Sequence, residues 1–172
     1  DDDQIVFAGN TATWVGGNAA IQGEPLGVIV GSRIERDDNG NFVVNASGSY
    51  GEQDAMAIDA NGNEVPIGTE GSRQITPIIG NPEPDYVMNF INTLKYKNFT
   101  LGWQLSHTAG GDIVAKTVAT LLGRGGIVED RKNTFVLPGV RQDGTPNTLQ
   151  INNSTYYFSN VLFGPLELNV YD

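Results

Sequence analysis

The sequence predicts an all-β fold of antiparallel strands with long loops and one short helix. Three observations carry that prediction. The composition is rich in turn formers, with 22 glycines, and poor in charge, with 17% Asp, Glu, Lys and Arg, against about a quarter in ordinary soluble domains. Two Asn-Gly dipeptides, Asn39-Gly40 and Asn61-Gly62, lie beside apolar runs, and Asn-Gly favours the positive-φ turn that joins antiparallel strands. The stretch VMNFINTLKYKNFTLGWQLSH, Val87 to His107, alternates, breaks at Lys97-Asn98 and alternates again.

From Ile5 to Tyr50 the chain reads as short strands and turns. Apolar runs at Val28 to Val30 and Phe42 to Val44 flank the turn at Asn39-Gly40. AIDANGNEVPI repeats the pattern around Asn61-Gly62. Asp59, Asn61, Asn63 and Glu64 have some of the spacing of a calcium loop. The glycine, however, falls at the fourth position where an EF-hand needs it at the sixth, and no glutamate closes the loop at the twelfth. A plain hairpin turn is expected. Gly80-Asn81-Pro82-Glu83-Pro84-Asp85 punctuates the chain, because two prolines one residue apart cannot sit in a central strand.

In the hairpin, Met88, Phe90, Asn92, Leu94 and Tyr96 point one way, and Val87, Asn89, Ile91, Thr93 and Lys95 the other. The second strand is cleaner: Phe99, Leu101, Trp103 and Leu105 share a face opposite Thr100, Gly102, Gln104 and Ser106. Each half is close to the ~9–11 residues of a tilted membrane strand. A soluble sandwich hairpin with one face on a core explains the period equally well. Tyr96 and Phe99 at the turn and Trp103 farther up suit a membrane interface.

After the hairpin, Asp112 is expected to cap a helix from Ile113 to about Leu122, with Ile113, Thr117, Val118, Leu121 and Leu122 on one face. Gly123-Arg124-Gly125-Gly126 is expected to stop it. Gly123 to Asn160 reads as a long irregular loop, and GPLELNVYD as a strand that is just starting.

Composition narrows the function. The net charge is -10, so nucleic acid is not an expected partner. The acidic residues, such as Asp1 to Asp3, Asp37-Asp38 and Asp59, fall in turns and read as solvated surface. With no cysteine and one histidine, His107, thiol chemistry and a multi-histidine zinc site are excluded. No basic n-region precedes an apolar core at the start, DDDQIVF. No phosphate loop, nucleophile elbow or H-E-x-x-H motif is found. Glu129-Asp130 beside Arg131 reads as surface, and His107 as an interfacial residue. No enzyme activity, cofactor or metal is expected.

GNPEPDYVMNFINTLKYKNFTLGWQLSHTAGGDIV, Gly80 to Val114, resembles the C-terminal barrel region of SusC/RagA-type TonB-dependent outer-membrane transporters of Bacteroidetes. That pattern is Gly-Asn-Pro-x-Pro-Asp, a strand, Tyr-Lys-Asn-Phe at the turn, a second strand, and Gly-Gly-Asp leading outside. Gly80, Asn81, Pro82, Pro84, Asp85, Tyr96, Lys97, Asn98, Phe99, Gly110, Gly111 and Asp112 stand at those positions. GEPLGVIVG, LPGVRQDGTPNT and the closing VYD also match in order. The resemblance implies that residues 1–172 are an internal fragment of one transmembrane β-barrel domain, without its plug domain and TonB box. It implies a partial barrel with long extracellular loops in the outer membrane, and uptake of oligosaccharides or peptides with a SusD-like lipoprotein and the TonB complex. Phe99, Leu101, Trp103 and Leu105 would face outer-membrane lipid, and Thr100, Gln104 and Ser106 the lumen. Gly123 to Asn160 would lie outside, where Tyr156 and Tyr157 could stack on a sugar ring. The alternative is a soluble extracellular β-sandwich that binds a glycan.

Overall fold

Turn chemistry shapes most of this chain. The computed structural model describes residues 4–8 (backbone only), 16–21, 23–127 and 130–171. Asp1 to Asp3, and Glu129 of the Glu129-Asp130 pair, lie outside the described residues. Among the described residues four five-residue turns repeat one design: Asp37 to Asn41, Asn45 to Ser49, Asp59 to Asn63 and Arg141 to Thr145. In each, the first N–H donates to the fifth carbonyl at 2.7–2.9 Å, and the fourth residue, a glycine, donates to the first carbonyl. These glycines, Gly40, Gly48, Gly62 and Gly144, have φ between 81° and 86°, a region other residues enter at a cost. In the first three turns the leading side chain also accepts from the backbone N–H groups two and four residues on.

Along the chain lie β1 (Gln4–Ala8), β2 (Gly17–Ile21), β3 (Val28–Val30), β4 (Arg33–Ile34), β5 (Val43–Val44), β6 (Glu52–Gln53), β7 (Met56–Ile58), β8 (Glu64–Val65), β9 (Arg73–Ile75) and β10 (Ile78–Gly80). The long pair β11 (Tyr86–Tyr96) and β12 (Phe99–Ala109) follows. Then come β13 (Ile113–Val114), α1 (Lys116–Gly123), β14 (Thr134–Val136), β15 (Val140–Arg141), β16 (Gln150–Asn152), α2 (Asn153–Tyr156) and β17 (Val170–Tyr171). A π-helical turn spans Tyr157–Leu162 and a 3-10 turn Leu166–Asn169.

The strands form small sheets: β1-β2-β3-β10, β8-β7-β9, and the pairs β4-β6, β11-β12, β13-β17, β14-β16 and β5-β15. All are antiparallel except β5-β15. The fold is thus mostly β, as predicted, and the described strands do not close a barrel. The turn at Asn61-Gly62 joins β7 to β8 as expected. Around Asn39-Gly40 the expectation needs correction. Val28 to Val30 pairs with β2 and β10, and Phe42 makes a single bridge to Arg36. Between the two runs Leu166 packs close against Gly31, and β4 pairs with β6.

Two apolar clusters hold the body. Ala19, Ile21, Val28, Val30, Ile58 and Ile75 form one; Ile34, Val44, Tyr50, Leu137 and Ile151 form the other. The C-terminal segment is bolted to the first half of the chain. Leu166 is fully buried, with its N–H on Ser32 Oγ. Glu167 accepts from Ile34 N and Arg36 Nη2, both at 2.7 Å. The buried Asn160 accepts from Tyr50 N at 2.8 Å. The described residues of 16–85 and 110–171 therefore fold together, and the hairpin projects from them, exposed at every residue from Tyr86 to Thr108.

The region after the hairpin differs most from the sequence reading. Asp112 does not cap α1. Its Oδ2 accepts from Asn81 N at 2.7 Å, and α1 starts later, after Ala115, with no side-chain cap. The expected apolar face is also wrong: Ile113, Val118 and Leu121 are exposed, and Ala119 is the buried residue. The helix docks through small residues, with Gly123 set so close to Leu162 that a Cβ there would lie 2.5 Å from it. Its stop is as predicted: Gly125 has φ 78°, and Gly126 N donates to Leu121 O and Gly125 N to Leu122 O, a Schellman motif. Gly123 to Asn160 is not an irregular loop, since it carries β14, β15, β16, α2 and part of the π turn. The single expected helix is thus accompanied by further helical turns. The C-terminal strand begins at Val170, after a 3-10 turn.

Candidate functional site

The hairpin is built by local chemistry. Lys97 adopts φ 51°, so two residues reverse the chain, and eleven pairs run without a slip from Tyr96↔Phe99 to Tyr86↔Ala109. The pairing settles the faces. Phe90 lies opposite Leu105, Leu94 opposite Leu101, and Asn92 opposite Trp103. The face of Phe99, Leu101, Trp103 and Leu105 thus gains Tyr86, Met88, Phe90, Leu94 and Tyr96. Phe90 and Trp103 rings lie 4.9 Å apart, Tyr86 stacks on His107 at 5.7 Å, and Lys97 Nζ sits 5.4 Å from the Tyr96 ring centre. Aromatic residues therefore mark both ends of the stripe. The sequence places His107 at the end of the apolar face; in the structure β12 runs two residues farther, to Ala109. The opposite face carries Asn89, Thr93, Lys95, Thr100, Gly102, Gln104, Ser106, Thr108 and two apolar outliers, Val87 and Ile91.

Exposure decides what this face lacks. Phe99 is 78% exposed, Leu101 60%, Trp103 46% and Leu105 55%. Leaving such side chains in water forfeits about 1.5–3 kcal/mol each. No second sheet among the described residues covers them. An eleven-residue strand is about 37 Å long and, tilted by about 45°, spans about 26 Å, close to the ~25 Å apolar band of a membrane barrel.

The two tyrosines named from the sequence have different surroundings. Tyr156 packs on the second apolar cluster, edge-on to Phe135 at 5.5 Å, and burial raises its pKa. Tyr157 is half-buried, with the Arg131 guanidinium 5.1 Å over its ring. Both are thus engaged within the body. The sequence reading overlooked Phe158 and Phe163, an exposed edge-to-face pair 5.0 Å apart across the π turn. Its spacing of five residues fits neither strand nor α-helix periodicity. Glu167 and Asn160 were also overlooked, because their partners lie more than a hundred residues away.

A polar cleft of about 950 Å³ runs beside β4, lined by Arg33, Glu35, Arg36, Asp38, Glu52 and Glu64 among others. Its arginines are engaged: Arg33 with Gln53 and Glu64, both at 2.6 Å, and Arg36 with Glu167 at 2.7 Å. Asp59, weighed above as a calcium ligand, spends its carboxylate on Asn61 and Asn63. Among the described residues no three His, Cys, Asp or Glu converge to hold a metal ion. Nor is any helix among them long and apolar enough to cross a membrane. Burial pushes Tyr50 up to about 12 and lowers Lys116.

A long hairpin bare on both faces, carried on a turn-rich body, defines a β-protein whose two longest strands need neighbours. No family model matches the chain. It is similar to a TonB-dependent receptor of Formosa agariphila, a Bacteroidetes species, at 30% identity over 105 residues, which cover 58% of this chain and 10% of that receptor. The chain thus spans about a tenth of the length of the curated relative it matches. The likeness to that TonB-dependent receptor is distant and partial.

Proposed function

We propose that this chain is an internal piece of a TonB-dependent outer-membrane transporter of the SusC/RagA type. β11 and β12 are neighbouring wall strands, with Phe99, Leu101, Trp103 and Leu105 on lipid and Thr100, Gln104 and Ser106 on the lumen. The body lies outside the cell. The whole protein imports oligosaccharides or peptides, energised by the TonB complex, with a SusD-like lipoprotein closing over the substrate. The chain itself performs no catalysis.

The observation that carries this reading is the uncovered apolar stripe on a hairpin of membrane-crossing length. The outer edges of β11 and β12, unpaired among the described residues, support it, because such edges are satisfied only inside a larger sheet or barrel. The distant receptor match agrees with it. A glycan-binding sandwich would instead need a second sheet over the stripe. The test is uptake of labelled oligosaccharides and peptides by cells with and without the full-length protein, with TonB intact or removed. Transport predicts that accumulation of one class falls in both deletions. Unchanged accumulation of both classes would contradict it.

A further inference from the structure

We propose that Gly80 to Asp85 and Ala109 to Asp112 form a rigid collar that sets the direction of the hairpin relative to the body. The hairpin joins the body at these two segments. There Asn81 N donates to Asp112 Oδ2 at 2.7 Å. Asp112 N returns a bond to Asn81 O at 2.7 Å, and Asp85 N donates to Ala109 O at 2.9 Å. Asn81 Oδ1 also accepts from Glu83 N. The incoming and outgoing segments are thus stitched by three bonds at two levels, and the Glu83 bond stiffens the incoming one.

The glycines show that the fit is close. Gly110 and Gly111 have φ 73° and 99°, and two glycines in that region would ordinarily suggest a hinge. Here the space around them is filled. A Cβ on Gly110 would lie 2.8 Å from the Asp85 carboxyl, and one on Gly111 3.2 Å from Pro82 O. A Cβ on Gly80 would lie 2.9 Å from Asp112 and 3.1 Å from Val170. Val170 belongs to β17, which pairs with β13, so the collar also fixes where the chain returns. Pro82 and Pro84 hold φ and lack N–H groups, which leaves few ways to relax. Asp112 and Gly110 are positioning residues: they set the angle at which the hairpin leaves the body. This holds whether the hairpin meets lipid or another sheet.

The test measures distance distributions between spin labels in the full-length protein, freed of other reactive cysteines. One pair, at Thr100 and Asp143, reports hairpin against body; a second, at Thr100 and Thr108, reports the hairpin alone, about 27 Å along one strand. The collar predicts a narrow distribution for the first pair. Asp112→Asn, which keeps a carbonyl acceptor for Asn81 N, should preserve it. Asp112→Ala and Gly110→Ala should each broaden it at least twofold while leaving the second pair unchanged. If Asp112→Ala does not assemble, Gly110→Ala against Asp112→Asn decides. Equal widths in the parent and the assembled Ala variants would overturn the proposal, as would a parent distribution already broad.

Discussion

At the fourth place of each five-residue turn, glycine is chosen for its backbone angle. Around Gly62, with φ 86°, nothing lies within 4 Å of the position a Cβ would take. Gly62→Ala should therefore cost only the left-handed strain, about 1–2 kcal/mol. Gly139→Ala should cost more, because φ is 137° and the Cβ would lie 2.3 Å from Phe42 O, the acceptor that joins β15 to this part of the body. Reversible denaturation of the two variants checks the order. The turn acids give a pH prediction. Asn41 amide bonds to Asp37, backbone bonds from Asn63 to Asp59, and the Thr145 hydroxyl on Asp143 hold each carboxyl below its ordinary 3.8. Folding thus favours the carboxylate form, so the contribution is present above 3.8 and lost as pH falls through the lower folded values. Asp37→Asn with Asp59→Asn keeps the acceptors without the titration, and should flatten the loss of stability below about pH 4. An unchanged acid profile would show that these turns do not govern it. Asn39-Gly40 and Asn61-Gly62 were legible because turn chemistry acts within five residues. What the flanking strands pair with was not.

At the scale of elements, legibility follows the range of the forces. β11 and β12 were readable to within a residue or two because their register is set by a two-residue turn and a period of two. The start of α1 was missed because Asp112, a good capping residue by local rules, is claimed by Asn81, 31 residues away. The 3-10 turn at Leu166–Asn169 was read as strand because its shape is imposed by Ser32, Ile34 and Arg36. For the hairpin, Leu101→Arg should cost about 2–4 kcal/mol if it lies near the bilayer midplane, and Thr100→Arg far less. Unfolding of the full-length protein in lipid measures both. Equal losses would reverse or remove the two faces.

At the scale of the molecule, two stretches on either side of the hairpin fold as one body: Leu137 and Ile151 share a cluster with Ile34, Val44 and Tyr50, β15 pairs with β5, and a few buried polar groups tie the rest. Glu167→Ala would strand Ile34 N, and Asn160→Ala would strand Tyr50 N; each should cost about 1–3 kcal/mol and raise protease sensitivity in residues 30–53 as well as near the substitution. Digestion confined to the substituted side would show that the halves are stable independently. Nothing in the spacing of Glu167 or Asn160 announces these ties, which is why a body was read as a loop. In the proposed topology this body stands outside the cell on strands that cross the outer membrane. This topology is tested most directly by labelling intact cells with an impermeant thiol reagent, using Asp143→Cys and Lys97→Cys in the full-length protein. That topology predicts reaction at 143 in intact cells and at 97 only once the outer membrane is opened. Labelling at 97 but not 143 would invert the topology, and labelling at both in intact cells would mean that the hairpin does not cross the membrane.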